Sequence, residues 1–149
     1  MISTQLARAL RDSGLVWHPI AGDAFLIDKL ELDAEVFILS DMTVEAHEFS
    51  TGTVLGFNGT TEWALDSVAI DDALWLPHES QLRELLRGAF GSLEASADGF
   101  RVSASIATEE LIFEAEDAAD AYARAVLALI DASLDDPLPG LDDELPTGP

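Results

Sequence analysis

Apolar and polar positions near the N-terminus follow a helical period. Leu6 and Leu10 lie one helical turn apart. Ser3 or Thr4 is suited to cap this segment, because a short polar side chain satisfies the free N–H groups of a first helical turn. Gly14 is suited to the left-handed residue that often follows a helix. The pattern predicts a first helix over residues 3–13.

After this helix the apolar residues no longer follow a helical period, and short apolar runs predict strands. Three runs lie at 24–27, 36–39 and 44–49. Two further segments, 53–57 and 60–64, are separated by Asn58-Gly59. Asn-Gly is a strong hairpin signal because a type I′ turn needs positive φ at both central residues. These patterns predict an antiparallel meander of about four strands.

The second half of the chain contains a helix, three strands and a last helix. The helix begins near Pro77 and ends near Gly91, with apolar residues at helical spacing between them. The predicted strands and the start of the last helix are 93–96, 100–106, 111–115 and Asp117. The predicted fold class is therefore α+β, an antiparallel β-sheet with three helices. Its order is α, four or five strands, α, three strands, α.

The last fifteen residues differ in composition from the rest of the chain. They hold four of the six prolines and five carboxylates, with no basic residue. Proline cannot continue a helix, and the like charges repel one another. We therefore expect a single α+β domain over 1–134 and an acidic, Pro-rich tail over 135–149 that is disordered or loosely docked.

The net charge of the chain excludes nucleic acids as partners. Lys and Arg number 7 against 29 Asp and Glu, which gives a formal net charge of −22. Such a chain repels phosphate backbones, so we expect no nucleic-acid binding. The sequence shows no signal peptide and no apolar run long enough to span a bilayer, so we expect a cytoplasmic protein without membrane association.

Candidate catalytic and metal-binding residues are scattered. The chain has no Cys, and its three His residues lie at 18, 47 and 78 with no metal-binding spacing. No nucleophile motif is present either. We expect no enzyme activity and no cofactor. Glu45 and His47 lie two residues apart on one predicted strand and therefore share a face, where we predict partner binding.

Two tryptophans suggest a binding groove. Trp63 and Trp75 flank an apolar and acidic connector. Tryptophan is enriched at protein interfaces because it combines a large apolar ring with an N–H donor. We predict that these two residues contribute to binding another polypeptide, although both are also compatible with a place in the core or at its rim.

Three segments resemble those of a group of small actinobacterial proteins. The segments are EVFILSDMTVE (35–45), GFNGTTEWALDSV (56–68) and ALWLPHESQLRELL (73–86). The group is often labelled as pilus-assembly CpaE-like, so the resemblance implies a link to pilus assembly. The ATPases behind that label need a phosphate-binding loop. This chain has none, so no nucleotide-binding residue is carried over.

The predicted topology is similar to that of the type III secretion chaperones. That resemblance implies a homodimer that holds a partner polypeptide and has no catalytic site. The leading hypothesis is therefore a non-enzymatic adaptor or chaperone-like protein, with a link to secretion or pilus assembly. The alternatives are an acidic nucleic-acid mimic that binds a DNA-binding protein, and a hydrolase or metal-dependent enzyme.

The second helix leads us to predict a homodimer. Its neighbourhood has more apolar residues than one small sheet requires, and a second copy would cover the surplus. The predicted interface residues are Leu82, Leu86 and Phe90.

Overall fold

A computed structural model describes residues 1–28, 35–39, 44–49, 52–57, 67–69 and 72–135. Within these ranges the chain forms three α-helices, a 3-10 turn and nine strands. In chain order they are α1 (Thr4–Asp12), β1 (Ala24–Ile27), β2 (Val36–Ile38), β3 (Val44–Phe49), β4 (Gly52–Phe57), β5 (Ser67–Ala69), β6 (Ala73–Leu76), α2 (Glu79–Leu86), the 3-10 turn (Arg87–Ala89), β7 (Phe90–Ser96), β8 (Gly99–Ile106), β9 (Glu109–Ala115) and α3 (Ala118–Asp135). The predicted α+β class is confirmed, with six strands before α2 instead of four or five.

The described strands form three antiparallel sheets of three strands each. Their orders are β2-β1-β6, β3-β4-β5 and β7-β8-β9. The predicted continuous meander is wrong, because β1 pairs with β6 on one side and β2 on the other, apart from the sheet of β3 and β4. All four residues of β1 are buried. A strand that is buried on both faces favours a central position in its sheet. β6, which lies far along the chain, pairs with the second edge of β1 and so places β1 at the centre.

Part of the predicted hairpin lies outside the described residues. Asn58-Gly59 and the strand expected at 60–64 fall there, as does the tail beyond 135. Within the described residues, the strands that pair with β4 are β3 and β5.

The β2-β1-β6 sheet is apolar on both faces. Ala24 and Leu26 of β1 point into the main core, which the three helices and β8 also line. Phe25 and Ile27 alternate with them and join a second, smaller cluster. This second cluster also contains Trp17, and it becomes important for the candidate site.

The ends of α1 and α3 are tied together near the N-terminus. The Ser3 side chain accepts from the Leu6 N–H at 3.2 Å, as the predicted cap requires, and the Ser3 N–H donates to Asp120 Oδ1 at 2.7 Å. The terminal ammonium of Met1 donates to Asp117 Oδ2 at 2.9 Å. That hydrogen bond lowers the pKa of Asp117, against a smaller opposing effect of partial burial. Gly14 has a φ of 108°, in agreement with its predicted place after the helix.

The β7-β8-β9 sheet packs its alternate residues against the helices. Val102, Ala104 and Ile106 of β8 are buried, as the alternation predicts. On the opposite face, Arg101 donates to Glu114 Oε1 at 2.9 Å. This half of the fold is the part that the sequence pattern describes most closely.

Candidate functional site

Trp75 lies on β6, at the edge of its sheet. Among the described strands β6 pairs with β1 alone, and Trp75 is in register with Phe25. Leu74 and Leu76 point into the main core, whereas Ala73 and Trp75 belong to the second cluster. The second edge of β6 pairs with no described strand, and three of its four residues are at most 4% exposed.

A cavity of about 240 Å³ follows this edge. It is lined by Ala73, Leu74 and Trp75 in succession. Because successive strand residues point to opposite faces, a space that contacts three in a row lies along the edge of the strand. The opposite wall comes from α1 and the loop after it, including Arg11 and Val16. We call this space the β6 groove.

Stacked aromatic rings form one side of the β6 groove. The Trp17 and Trp75 ring centroids are 6.5 Å apart with an interplanar angle of 9°. Phe25 lies 5.5 Å from Trp17 in a tilted arrangement. Large rings that pack against one another lose little freedom on binding a ligand, so this wall is already organised.

The indole nitrogen of Trp75 is buried, and within the described part of the chain it has no hydrogen-bond partner. A buried donor without an acceptor costs roughly 1–3 kcal/mol. By contrast, the indole N–H of Trp17 donates to Asp23 Oδ2 at 2.9 Å. Among the described residues, the two stacked tryptophans therefore differ in that the indole of Trp17 has an acceptor and the indole of Trp75 does not.

Asp23 organises the side of the site that holds Trp17. It is 1% exposed, and besides Trp17 it accepts from the Ile20 N–H at 3.0 Å and from Gln81 Nε2 at 2.7 Å. Sequence reasoning missed this residue. The available signal was a carboxylate placed directly before a fully apolar run, which brings it to the end of a buried strand.

The N-terminus of α2 contacts the loop that precedes β1. His78 is the N-cap, and its backbone N–H donates to Gln81 Oε1 at 2.9 Å. The His78 Nε2 lies 3.0 Å from the carbonyl oxygen of Gly22. Since Gln81 also holds Asp23, the cap of α2, the loop before β1 and the Trp17 ring form one connected hydrogen-bond network.

A small ionic cluster lies beside the β6 groove. Arg8 Nη2 and Arg11 Nη1 donate to the carboxylate of Asp28 at 2.8 Å and 3.0 Å. The hydrogen bond from Arg8 lowers the pKa of Asp28 below its ordinary value, and the bond from Arg11 adds to this, while partial burial opposes both. The same pair raises the pKa of Arg8. Arg11 also lines the groove, so it brings positive charge to that wall in an acidic chain.

The other predicted partner-binding residues are not brought to Trp75 by a shared sheet. Trp63 lies outside the described residues. Glu45 and His47 lie on β3, opposite Gly56 and Val54, in the β3-β4-β5 sheet. Their role in binding stays a prediction.

The predicted interface residues lie mostly inside a single chain. Leu82 and Leu86 are 0% and 1% exposed, in the main core. Phe90 is partly buried, with its ring centroid 5.8 Å from that of Tyr122. The two leucines are thus occupied by intrachain packing and not available to a second copy, because α2 packs against α3 as well as near the sheet. The homodimer itself stays a prediction.

Comparisons with known proteins do not identify a relative of this chain. The chain matches no protein-family model, no curated protein and no solved structure. The resemblances to CpaE-labelled proteins and to secretion chaperones therefore stay predictions.

Within the described residues, no helix has the length and apolar character needed to cross a bilayer. The same residues hold no group of three or more His, Asp or Glu placed to ligate a metal ion.

Proposed function

We propose that this protein is a non-enzymatic polypeptide-binding protein, an adaptor or chaperone-like module. In this proposal an extended segment of the partner enters the β6 groove. The observation that supports it most directly is an apolar groove beside the unpaired edge of β6, lined by Trp75, whose buried N–H has no acceptor in the described residues.

The strand edge provides the first set of contacts. An extended peptide placed beside β6 would add a strand to the β2-β1-β6 sheet, with its backbone bonded to the edge of Ala73–Leu76 that no described strand pairs with. Because these residues are largely buried, the loop after α1 must move aside as the peptide enters. Such backbone pairing provides affinity with little dependence on the partner's sequence. It suits a protein that holds a partner without acting on it chemically.

The size of the β6 groove favours a side chain over a cofactor. Small-molecule pockets usually occupy roughly 300–1,000 Å³, whereas this cavity has about 240 Å³. One or two apolar side chains of the bound segment fit such a volume. They would lie against Leu74 and the Trp75 ring. A rotation of that ring would bring its buried N–H to a carbonyl oxygen of the same segment.

The acidic-mimic alternative has less support from the described carboxylates. Mimicry of a nucleic acid requires carboxylates displayed outward in rows. Several acidic side chains instead make intrachain bonds, namely Asp23, Asp28, Asp117 and Asp120. The proposed setting is the cytoplasm, with a partner from a secretion or pilus-assembly system, as the two resemblances suggest.

Selection of peptides from a random display library tests the proposal. The selected peptides are titrated against the wild type and two variants that add the same charge to the same loop. Val16 is 64% exposed and lines the β6 groove, and Ile20 is 62% exposed and is not among the groove residues. We expect Val16→Glu to weaken binding about tenfold and Ile20→Glu to change it less than about twofold.

Replacement of the indole provides the second arm of the experiment. Trp75→Phe keeps an aromatic ring but removes the N–H donor, so peptide affinity should fall by about five- to tenfold. The proposal is contradicted if no peptide is enriched, or if Val16→Glu and Ile20→Glu weaken binding equally.

A further inference from the structure

Two arginines indicate a second site, because neither forms an ion pair in the described part of the chain although carboxylates lie nearby. In a chain of net charge −22, Arg8, Arg11 and Arg101 are each paired with a carboxylate. Within the described residues, no such pair is formed by Arg83, Arg87 or Arg124, and of these Arg83 and Arg87 line one depression together. For Arg83 this is unexpected, because Glu79 lies four residues before it on α2, at a spacing that favours pairing on a helix.

Both arginines line the same depression, which we call the α2 hollow. Its volume is about 570 Å³, within the range of small-molecule sites. The other residues used in the argument are Phe90, Leu93 and Tyr122. The hollow lies beside α2 and the 3-10 turn, and it shares no lining residue with the β6 groove.

Arg83 is held with its donors available. The central carbon of its guanidinium lies 4.3 Å from the ring centroid of Phe90, a cation–π contact. A guanidinium stacked on a ring keeps its N–H donors at the edge of its plane. The described residues accept no hydrogen bond from the Arg83 guanidinium, so its donors are free to form a forked pair with a carboxylate.

Arg87 occupies a backbone conformation that costs stability. Its φ is 52° and its ψ is −128°, a combination that suits glycine and strains any side chain with a Cβ. Gly88 follows directly, so a glycine one position earlier would have removed the strain. Strain at an exposed arginine beside a hollow indicates that its guanidinium has a use.

The charge balance of the α2 hollow selects the class of ligand. Glu79 and Glu84 also line it, so its two arginines face two carboxylates. A multiply charged anion would be repelled by these groups and by the acidic chain as a whole. Leu93 is 40% exposed and offers an apolar surface. Burial raises the pKa of the Tyr122 hydroxyl, so it stays protonated at neutral pH.

We propose that the α2 hollow binds a small organic monocarboxylate that carries an apolar group. The carboxylate lies against the guanidinium groups of Arg83 and Arg87, and the apolar group lies on Leu93. This site is separate from the β6 groove and does not depend on the proposed function.

Titrations by NMR, with labelled arginine side chains, test this site. The probes are hydrocinnamate and octanoate, with hydrocinnamide as the uncharged control of the same shape. We expect the Nε–H signals of Arg83 and Arg87 to shift with both acids, and the amide to bind about tenfold more weakly or not at all. An amide that binds as tightly as the acid overturns the proposal, as does no shift with either acid up to about 10 mM.

Three variants complete the test. Arg83→Gln and Arg87→Gly should each weaken hydrocinnamate binding about tenfold, whereas Arg124→Gln, at an exposed arginine outside the hollow, should change it less than about twofold. Arg87→Gly should also raise the Tm by about 2–4 °C, because it relieves the strained backbone. A lower Tm would mean that Arg87 is retained for stability, and equal weakening by all three variants would mean a general charge effect. Either result overturns the proposal.

Discussion

At the scale of single residues, the fold depends on a carboxylate that is almost fully buried. Asp23 is 1% exposed and accepts three hydrogen bonds, two from the loop before β1 and one from α2. A buried charged group is tolerated when its hydrogen bonds are complete. Asp23 is therefore a positioning residue for the candidate site, because it fixes the Trp17 ring on which Trp75 stacks.

Removal of the Asp23 carboxylate should destabilise the protein strongly. Asp23→Ala leaves three donors without their acceptor, so we expect a loss of about 3 kcal/mol or more in the free energy of unfolding. Asp23→Asn should cost less, since one oxygen remains. Urea denaturation measures both. Asp131→Ala, on an exposed position of α3, is the control and should change stability by less than about 0.5 kcal/mol. An equal loss in Asp23→Ala and the control would refute this role.

The Arg8–Asp28 pair predicts a defined pH dependence. Asp28 has a lowered pKa in the folded state, so its contribution to stability is complete above its unfolded value of about 4 and is lost as the pH falls through the folded value. Arg8 is 48% exposed, so solvent screens the pair and keeps this contribution small. We expect Asp28→Asn to be less stable than the wild type from pH 8 to about 5, and the difference to shrink as the pH falls below about 4. A difference that stays constant down to pH 2 would contradict the assignment.

At the scale of elements, local signals predict those parts of the fold whose structure is decided locally. The cap at Ser3 and the turn at Gly14 define α1, and the alternation in β8 identifies its buried face. In contrast, Ala73–Leu76 is four apolar residues without alternation, and such a run does not distinguish a strand from a core segment. Its pairing with β1 joins distant parts of the chain, so no local sequence pattern could predict that pairing.

The same limit explains how much of the site was predictable. Trp75 was identified because a tryptophan is a frequent interface residue, and the structure places it beside a groove. Asp23 and Arg87 were missed, since burial of a carboxylate and a positive φ at an arginine depend on the tertiary structure. Leu82 and Leu86 were assigned to an interface because the sequence does not show that α2 packs against α3.

The turn between β7 and β8 gives a prediction at the same scale. Gly99 has a φ of 155°, and a Cβ added there would overlap the backbone of Ala115 and Glu116. Since that backbone belongs to the end of β9, Gly99→Ala should destabilise the protein by about 2 kcal/mol or more. Gly88→Ala is the matched control, because an added Cβ meets nothing within 4 Å there. Thermal unfolding compares the two, and equal losses would contradict the steric explanation.

At the scale of the whole molecule, charge opposes compactness. A net charge of −22 creates self-repulsion that salt screens, as the Debye length falls from about 30 Å at 0.01 M to about 8 Å at 0.15 M. We expect the Tm to rise over this range of NaCl, and to rise equally in choline chloride, because screening does not depend on the cation. A Tm that falls with salt would mean that local ion pairs such as Arg8–Asp28 outweigh the overall repulsion.

The most direct test of polypeptide binding at the β6 groove is an NMR titration with a selected peptide. The three tryptophans of the chain give three indole N–H signals. We predict that the Trp75 signal moves downfield as its N–H gains an acceptor, that the Trp17 signal moves less because it is already bonded to Asp23, and that the amides of Ala73–Leu76 exchange more slowly with solvent. A peptide that binds while leaving the Trp75 indole and the β6 amides unchanged would contradict the account.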